Sequence, residues 1–137
     1  MAKKVPVDNP RAPDLSSYFN WGVKISEFRE LFLIAGHSAQ DTGEGVLHPG
    51  DPVAQTRYIL DDVAHYLRDN GYDLDDIIRV EFTVTKDVSR SDYEDIFDLF
   101  REFFAPVEVK PAAGTFRVVD SLVIPEMMVE YEFWAAQ

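Results

Sequence analysis

The chain has 137 residues, of which 46% are hydrophobic, and its 25 acidic and 13 basic residues give a formal net charge of −12. This length and apolar content suffice for one globular domain with its own core. The absence of cysteine excludes disulfides, thiolate nucleophiles and cysteine-bound metals. The acidic balance disfavours nucleic-acid binding, which depends on cations that neutralise phosphates. No apolar run approaches membrane length, so we expect no membrane partner and a cytoplasmic location.

The first half of the chain is predicted to contain an irregular arm, two strands and a helix. Residues 1–17 are rich in proline, aspartate and serine and are interpreted as the arm, which leaves 18–137 as the folded domain. Apolar runs at 23–25 and 31–35 predict two strands joined by a polar turn. After a loop over 36–50, Asp51 and Pro52 predict a helix start, and Gly71 predicts its end.

The second half is predicted to contain a strand, a helix and two final strands. The run at 77–84 alternates in its second half and predicts a strand. Ser91 and Glu94 are interpreted as a capping box that opens a helix with a broad aromatic stripe, ending near Pro106. The final strands are predicted at about 112–119 and 128–135.

The resulting order is β-β-α-β-α-β-β, which predicts an α+β domain with a mixed sheet. Two amphipathic helices can cover only one face of such a sheet. The other face is predicted to be too apolar to remain in water, with contributions from Phe82 and Val84 or their neighbours, and from Tyr131, Phe133 and Trp134. A face of this kind usually meets another subunit, so we expect a homo-oligomer.

Four segments in order carry a family resemblance. They are QTR at 55–57, G-x-x-L-x-D-I-I-x-V at 71–80, the helix from Asp92 to Phe104, and the closing strands with KPA at 110–112 and VEYE at 129–132. Together they resemble the Rid family (YjgF/YER057c/UK114, endoribonuclease L-PSP-like) of small trimeric proteins. The resemblance implies a chorismate-mutase-like single domain, a homotrimer, and a small-molecule site in each cleft between subunits.

The resemblance also shows where the chain departs from the family pattern. In the imine-hydrolysing members an arginine grips the substrate carboxylate, and Ala113 stands in its place here. A methyl group cannot hold a carboxylate as a guanidinium does. Two further departures are Phe97 in place of an asparagine and Phe19 near the place of a tyrosine. In the cleft floor, Ala35-Gly36-His37 stands in place of the family's Ser-Gly-Gln. The family's water-positioning glutamate is retained as Glu130.

Glu130 and His37 are the candidate catalytic residues, because a carboxylate and an imidazole can both transfer protons. Alternatively, Glu130 is a charge on a solvated strand face, and His37 is a loop histidine bonded to a backbone carbonyl. Thr115 and Arg117 are predicted to share a strand face with Ala113, so that Arg117 supplies the missing positive charge. The alternative for Arg117 is an exposed or ion-paired side chain. We expect no cofactor and no metal site.

These residues favour a hydrolytic, Rid-like small-molecule enzyme with altered specificity, rather than a standard 2-imino acid deaminase. It would add water to an imine, an enamine or a related reactive metabolite in a cleft lined by Gly36, Phe19 and Phe97. The alternative is a non-catalytic trimer that binds a small ligand or a protein. An endoribonuclease or translation inhibitor is the least favoured function, because a cationic surface is lacking.

Overall fold

The computed structural model describes residues 2–137, which form six strands and two helices. The strands are β1 (Lys3–Val7), β2 (Gly22–Ser26), β3 (Leu31–Leu33), β4 (Ile77–Thr85), β5 (Ala112–Val119) and β6 (Val129–Ala136). The helices are α1 (Pro52–Asp69) and α2 (Arg90–Phe104), and a 3₁₀ turn at Leu74–Asp76 leads into β4. Within this described part of the chain, no helix has the length and apolarity needed to cross a membrane.

The main sheet has the strand order β3-β6-β4-β5, and β1 pairs with β2 in a separate two-stranded sheet. All pairs are antiparallel except β4 and β5, which run parallel. A parallel pair needs a long crossover connection, which α2 and its flanking loops provide. The predicted α+β domain with a mixed sheet and two helices on one face is confirmed.

Helix α1 begins and ends where its sequence indicates. The Asp51 carboxylate accepts a hydrogen bond from the Ala54 N–H at 3.0 Å, and Pro52 occupies the first turn, where its missing N–H costs nothing. Asn70 caps the other end, and Gly71 follows with a φ of +80°. Glycine adopts this left-handed conformation without the strain that a side chain would cause.

The core lies between the two helices and one face of the main sheet, and its position corrects one prediction. Tyr131 and Phe133 are buried in this core, so their placement on the uncovered face is wrong. Phe82 and Val84 are buried there too, so on β4 their neighbours are the residues of the uncovered face. Only Trp134 of that set lies on the uncovered face, opposite Leu33 of β3. The alternation separates two faces of each strand, but it does not say which face meets the helices.

The uncovered face combines charged residues with an apolar end. It consists of Arg79, Glu81, Thr83, Arg117, Glu130, Glu132, Trp134, Leu31 and Leu33. The apolar members cluster where β3 pairs with the end of β6. The charged members lie on β4, β5 and the first half of β6.

Two local predictions are corrected. Part of the arm over 1–17 is regular, because Lys3–Val7 forms β1 and pairs with β2. Proline is tolerated at position 6 because β1 is an edge strand. The capping box of α2 uses Ser89 and Asp92 rather than Ser91 and Glu94. Both pairs have the same spacing, so the pattern alone does not choose between them.

Candidate functional site

A mostly apolar cavity of about 290 Å³ lies at the β5 edge of the sheet, on the helix side. Three predicted ligand-binding residues line it, namely Phe19, Phe97 and Ala113. The remaining lining residues are Leu15, Tyr18, Phe82, Gly114 and Phe116. None of these eight residues carries a charged side chain, so the cavity suits an apolar or aromatic group.

The aromatic walls of the cavity come from the segment before β2, from α2 and from the strands β4 and β5. Phe97 on α2 packs against Phe116 with ring centroids 5.5 Å apart, and against Tyr18 at 6.2 Å. Phe19 is only 5% exposed and packs edge-on against Phe82 at 5.4 Å. Phe19 is therefore mainly a core residue, while Tyr18 and Phe97 form the outer wall.

A β-bulge separates Ala113 from Arg117. Ala113 lies opposite Val80 and Phe116 lies opposite Phe82, so three steps along β5 correspond to two along β4. The extra residue places both Ala113 and Phe116 on the helix side, while Arg117 lies opposite Thr83 on the uncovered face. Arg117 therefore does not face the cavity at Ala113, contrary to the expectation that the two residues share a face.

Arg117 instead pairs with a largely buried carboxylate, Glu81. Nη1 of Arg117 lies 2.9 Å from Glu81 Oε2, and Nε of Arg79 lies 2.9 Å from Oε1. The Thr115 N–H donates to Oε2 at 3.2 Å. A Cβ on Gly114 would collide with this carboxylate, which explains the glycine there. The structure thus places Thr115 and Arg117 together around Glu81.

The pKa of Glu81 reflects two opposed effects. Burial alone would raise the pKa of this carboxyl, because it disfavours the charged form. Hydrogen bonds and positive charge from Arg79 and Arg117 outweigh burial and hold the pKa below its ordinary value. Glu81 is therefore a fixed anion with both oxygens occupied.

Glu130 lies on the uncovered face, directly beside Gly36. It pairs with Thr83 across the strands and follows the buried Val129, while the next residue, Tyr131, points into the core. A Cβ at Gly36 would overlap the Glu130 carboxylate, so the glycine permits the close approach. The structure therefore brings Gly36 and Glu130 together, as a site on this face would require.

The ring of His37 lies on the helix side of the sheet. Its Nδ1 donates to the Ala35 carbonyl at 2.9 Å, and Nε2 lies 3.5 Å from Asp62 of α1. The ring also packs against Tyr66 of α1 at 5.8 Å. Within one chain, His37 and Glu130 thus lie on opposite faces. The His37 backbone exchanges two hydrogen bonds with Tyr131, of 2.7 and 3.0 Å, and so holds β6 beside Gly36.

Sequence reasoning missed Tyr18, Phe116 and Arg101. Arg101 of α2 donates to the Tyr18 hydroxyl at 3.1 Å, at the outer wall of the cavity. The signal for Arg101 was its spacing of four residues from Phe97, which places both on one helix face. The signal for Phe116 was hidden by the bulge, which breaks the period-two alternation on which face assignments depend.

A larger cavity of about 610 Å³ lies elsewhere and contains none of the predicted site residues. It is lined mainly by polar side chains, including Asp73, Asp75, Asp76 and Glu108. Lys4 lies among them and donates to the carbonyls of Asp75 and Val109, which attaches β1 to this surface. In residues 2–137, no three histidine or acidic side chains are grouped so that they could hold a metal ion.

Comparison with known proteins shows a family that matches most of the chain. The family model for Endoribonuclease L-PSP matches residues 11–137. The chain is 28% identical to 3-aminoacrylate deaminase RutC of Acinetobacter baylyi over 130 residues, which cover 95% of this chain and 94% of that protein. It is 29% identical over 121 residues to a RutC family protein of Pyrococcus horikoshii, covering 88% of each.

The fold is also found among solved structures. The crystal structure of YyfB from Yersinia pestis, a member of the conserved Rid family, superposes with a TM-score of 0.84. The two sequences are 24% identical, and the superposition covers 98% of both chains. The family match over residues 11–137 and the shared fold lead to one conclusion: the chain belongs to the Rid family (YjgF/YER057c/UK114), the endoribonuclease L-PSP-like proteins.

Proposed function

We propose that the protein is a hydrolytic Rid-type enzyme that adds water to an imine or enamine bearing a large apolar group. The observation that carries the proposal is the apolar cavity lined by Ala113. The family resemblance assigns a carboxylate-binding arginine to the position of Ala113. Three aromatic side chains, Tyr18, Phe97 and Phe116, favour an aromatic or branched substituent there. The similarity to a relative named 3-aminoacrylate deaminase supports deamination as the reaction class.

Glu130 is the proposed catalytic carboxylate. It takes a proton from water as the water oxygen bonds to the imine carbon, and the nitrogen gains a proton. The resulting carbinolamine loses its C–N bond, which releases ammonia and leaves a carbonyl compound. The balance is one imine and one water consumed for one carbonyl product and one ammonia, so no oxidant or cofactor is required.

The proposed site is built from two chains. In one chain the cavity lies on the helix side of the sheet and Glu130 lies on the uncovered face. A substrate that touches both therefore needs the cavity of one subunit and the Glu130 and Gly36 of another. A cyclic homotrimer, which the family resemblance implies, repeats such a head-to-tail contact three times.

The surface of this chain does not suit the nuclease activity named in the family description. The net charge of −12 opposes binding to a phosphate backbone. Arg79 and Arg117, which are both paired with Glu81, do not form an open cationic patch.

The test is ammonia release from imines generated in place by an amine or amino-acid oxidase. We expect the protein to accelerate release from imines with aromatic or branched side chains more than from the imine of alanine. Glu130→Gln should lower this acceleration by roughly 100-fold or more. Glu132→Gln, which removes an exposed carboxylate from the same face, is the matched control and should retain activity.

The alternative function is a non-catalytic ligand-binding trimer, which the same experiment separates. Binding of an apolar imine analogue without faster ammonia release would favour it over the enzyme. Equal acceleration by wild type and the Glu130→Gln variant would show that Glu130 is not the catalytic carboxylate.

A further inference from the structure

Arg101 lies at the outer wall of the apolar cavity, although it is not part of the lining. Its Cζ lies 5.2 Å from the centroid of the Tyr18 ring, and its Nη1 donates to the Tyr18 hydroxyl at 3.1 Å. Tyr18 in turn packs against Phe97, one helical turn before Arg101. A stacked and hydrogen-bonded guanidinium has a defined position, which a freely moving surface arginine lacks.

The guanidinium retains capacity to bind an anion. Of its five N–H donors, one contacts Tyr18 and one contacts Asp98 Oδ1 at 2.5 Å. The arginine and aspartate side chains of the Arg101–Asp98 pair are 46% and 54% exposed. An ion pair this open to water is weak, so a ligand carboxylate can compete with Asp98.

The two arginines of the sheet do not offer this position to a ligand in the cavity. Arg79 and Arg117 lie on the opposite face of the sheet and are engaged by Glu81. Ala113, inside the cavity, has no charge. An anionic group on a ligand that fills the cavity could therefore reach the Arg101 guanidinium where Tyr18 forms the outer wall (the Tyr18 edge).

We propose that Arg101 is the anion-binding residue of this site and that the ligand is a small amphipathic acid. Its aromatic or branched apolar group fills the cavity, and its single carboxylate binds the Arg101 guanidinium at the Tyr18 edge. This inference rests on the proposed function only in taking the cavity as the ligand site. Because Arg101 lies outside the cavity lining, we expect the site to prefer acids whose carboxylate is separated from the apolar group over short imino acids.

The experiment compares two probes of nearly equal shape, 3-phenylpropionate and 3-phenylpropionamide, titrated calorimetrically into the full chain at low salt. We expect wild type to bind the acid about five- to tenfold more tightly than the amide, because a charge-assisted bond to a half-exposed arginine is of moderate strength. Arg101→Gln should remove this preference while leaving amide binding unchanged. Arg68→Gln, an exposed arginine on α1, is the control and should keep the preference.

Two further measurements sharpen the result. Asp98→Asn removes the competing carboxylate and should increase acid affinity several-fold, since the guanidinium is then free for the ligand. Raising the salt concentration to about 1 M should reduce the preference for the acid in wild type, because exposed charges are screened.

The outcomes separate this proposal from the proposed function. Equal binding of both probes by wild type, or a preference that survives Arg101→Gln, overturns the role of Arg101 but leaves the cavity as a ligand site. Loss of acid and amide binding together in Arg101→Gln assigns the residue a structural role and also overturns the proposal. If wild type binds neither probe, both the inference and the assignment of the cavity are wrong.

Discussion

Glu81 is the residue that most shapes the uncovered face of the sheet. Its carboxylate lies between two guanidinium groups and a backbone N–H, and it excludes any side chain at Gly114. The same contacts secure the bulged start of β5, because Thr115 and Arg117 are both bonded to Glu81. The bulge directs Ala113 to the cavity, so this charge cluster helps to define a site on the other side of the sheet.

The depressed pKa of Glu81 predicts a pH-dependent contribution to stability. A carboxyl with a lower pKa in the folded state stabilises the fold above its unfolded pKa of about 4.3, and this contribution is lost as pH falls through the folded pKa. We expect Glu81→Gln to lower the free energy of unfolding by about 1–2 kcal/mol at pH 7, because charge-assisted bonds are replaced by neutral ones. The difference from wild type should shrink below about pH 4.

This prediction is measured by urea unfolding between pH 7 and pH 3 at one fixed protein concentration, since any oligomer makes stability depend on concentration. Glu94→Gln, on the exposed side of α2, is the control and should change stability by less than about 0.5 kcal/mol at every pH. A difference between wild type and Glu81→Gln that stays constant down to pH 3 would contradict the account.

At the scale of elements, the sequence predicts those features that depend on local chemistry. The ends of α1 follow from Asp51, Pro52 and Gly71, whose roles arise within a few residues of chain. Strand β1 was missed because its partner β2 lies many residues away and its own composition is that of an irregular segment. The sequence left open which face of β4 meets the helices, assigned the wrong face to Tyr131 and Phe133 of β6, and gave no sign of the bulge in β5, because all three depend on packing between elements.

The same limit applies to the candidate site. Phe19, Phe97 and Ala113 line one cavity as a group, and Gly36 and Glu130 lie side by side. The sequence did not predict that the sheet separates these two groups of residues. Which face of the sheet carries each group depends on packing, and packing between elements or chains leaves no periodic signal in the sequence. Arg117 was assigned to the wrong face for the specific reason that one inserted residue reverses the alternation.

The start of α2 gives a prediction at this scale. Ser89→Ala should lower the free energy of unfolding by about 1 kcal/mol, because it removes the acceptor for the Asp92 N–H at the helix start. Ser91→Ala, two residues inside the helix, is the matched control and should have an effect below about 0.5 kcal/mol. Chemical denaturation of both variants measures the difference, and a larger loss for Ser91→Ala would restore Ser91 as the cap.

At the scale of the whole molecule, the helices leave one sheet face open, and that face is chemically divided. Leu31, Leu33 and Trp134 form an exposed apolar end, and the rest of the face is polar and mostly charged. A single chain gains nothing by exposing these side chains, whereas association would bury them. The separation of Glu130 from the cavity points in the same direction, since a second copy would complete the proposed site.

Leu33→Glu tests whether association through this face underlies the proposed activity. Leu33 is 60% exposed in the single chain, so a charge there should leave the fold intact but should oppose burial against another subunit. Light scattering should give wild type a mass three times the 15.7 kDa of one chain, and Leu33→Glu the mass of one chain. The variant should lose Glu130-dependent ammonia release, because the two halves of the proposed site then lie on separate molecules.

Val123→Glu, at a loop position that is 87% exposed, is the control and should remain associated and active. A wild-type protein that is monomeric and active would show instead that one chain holds a complete site, and Glu130 could not then act on a ligand in the cavity.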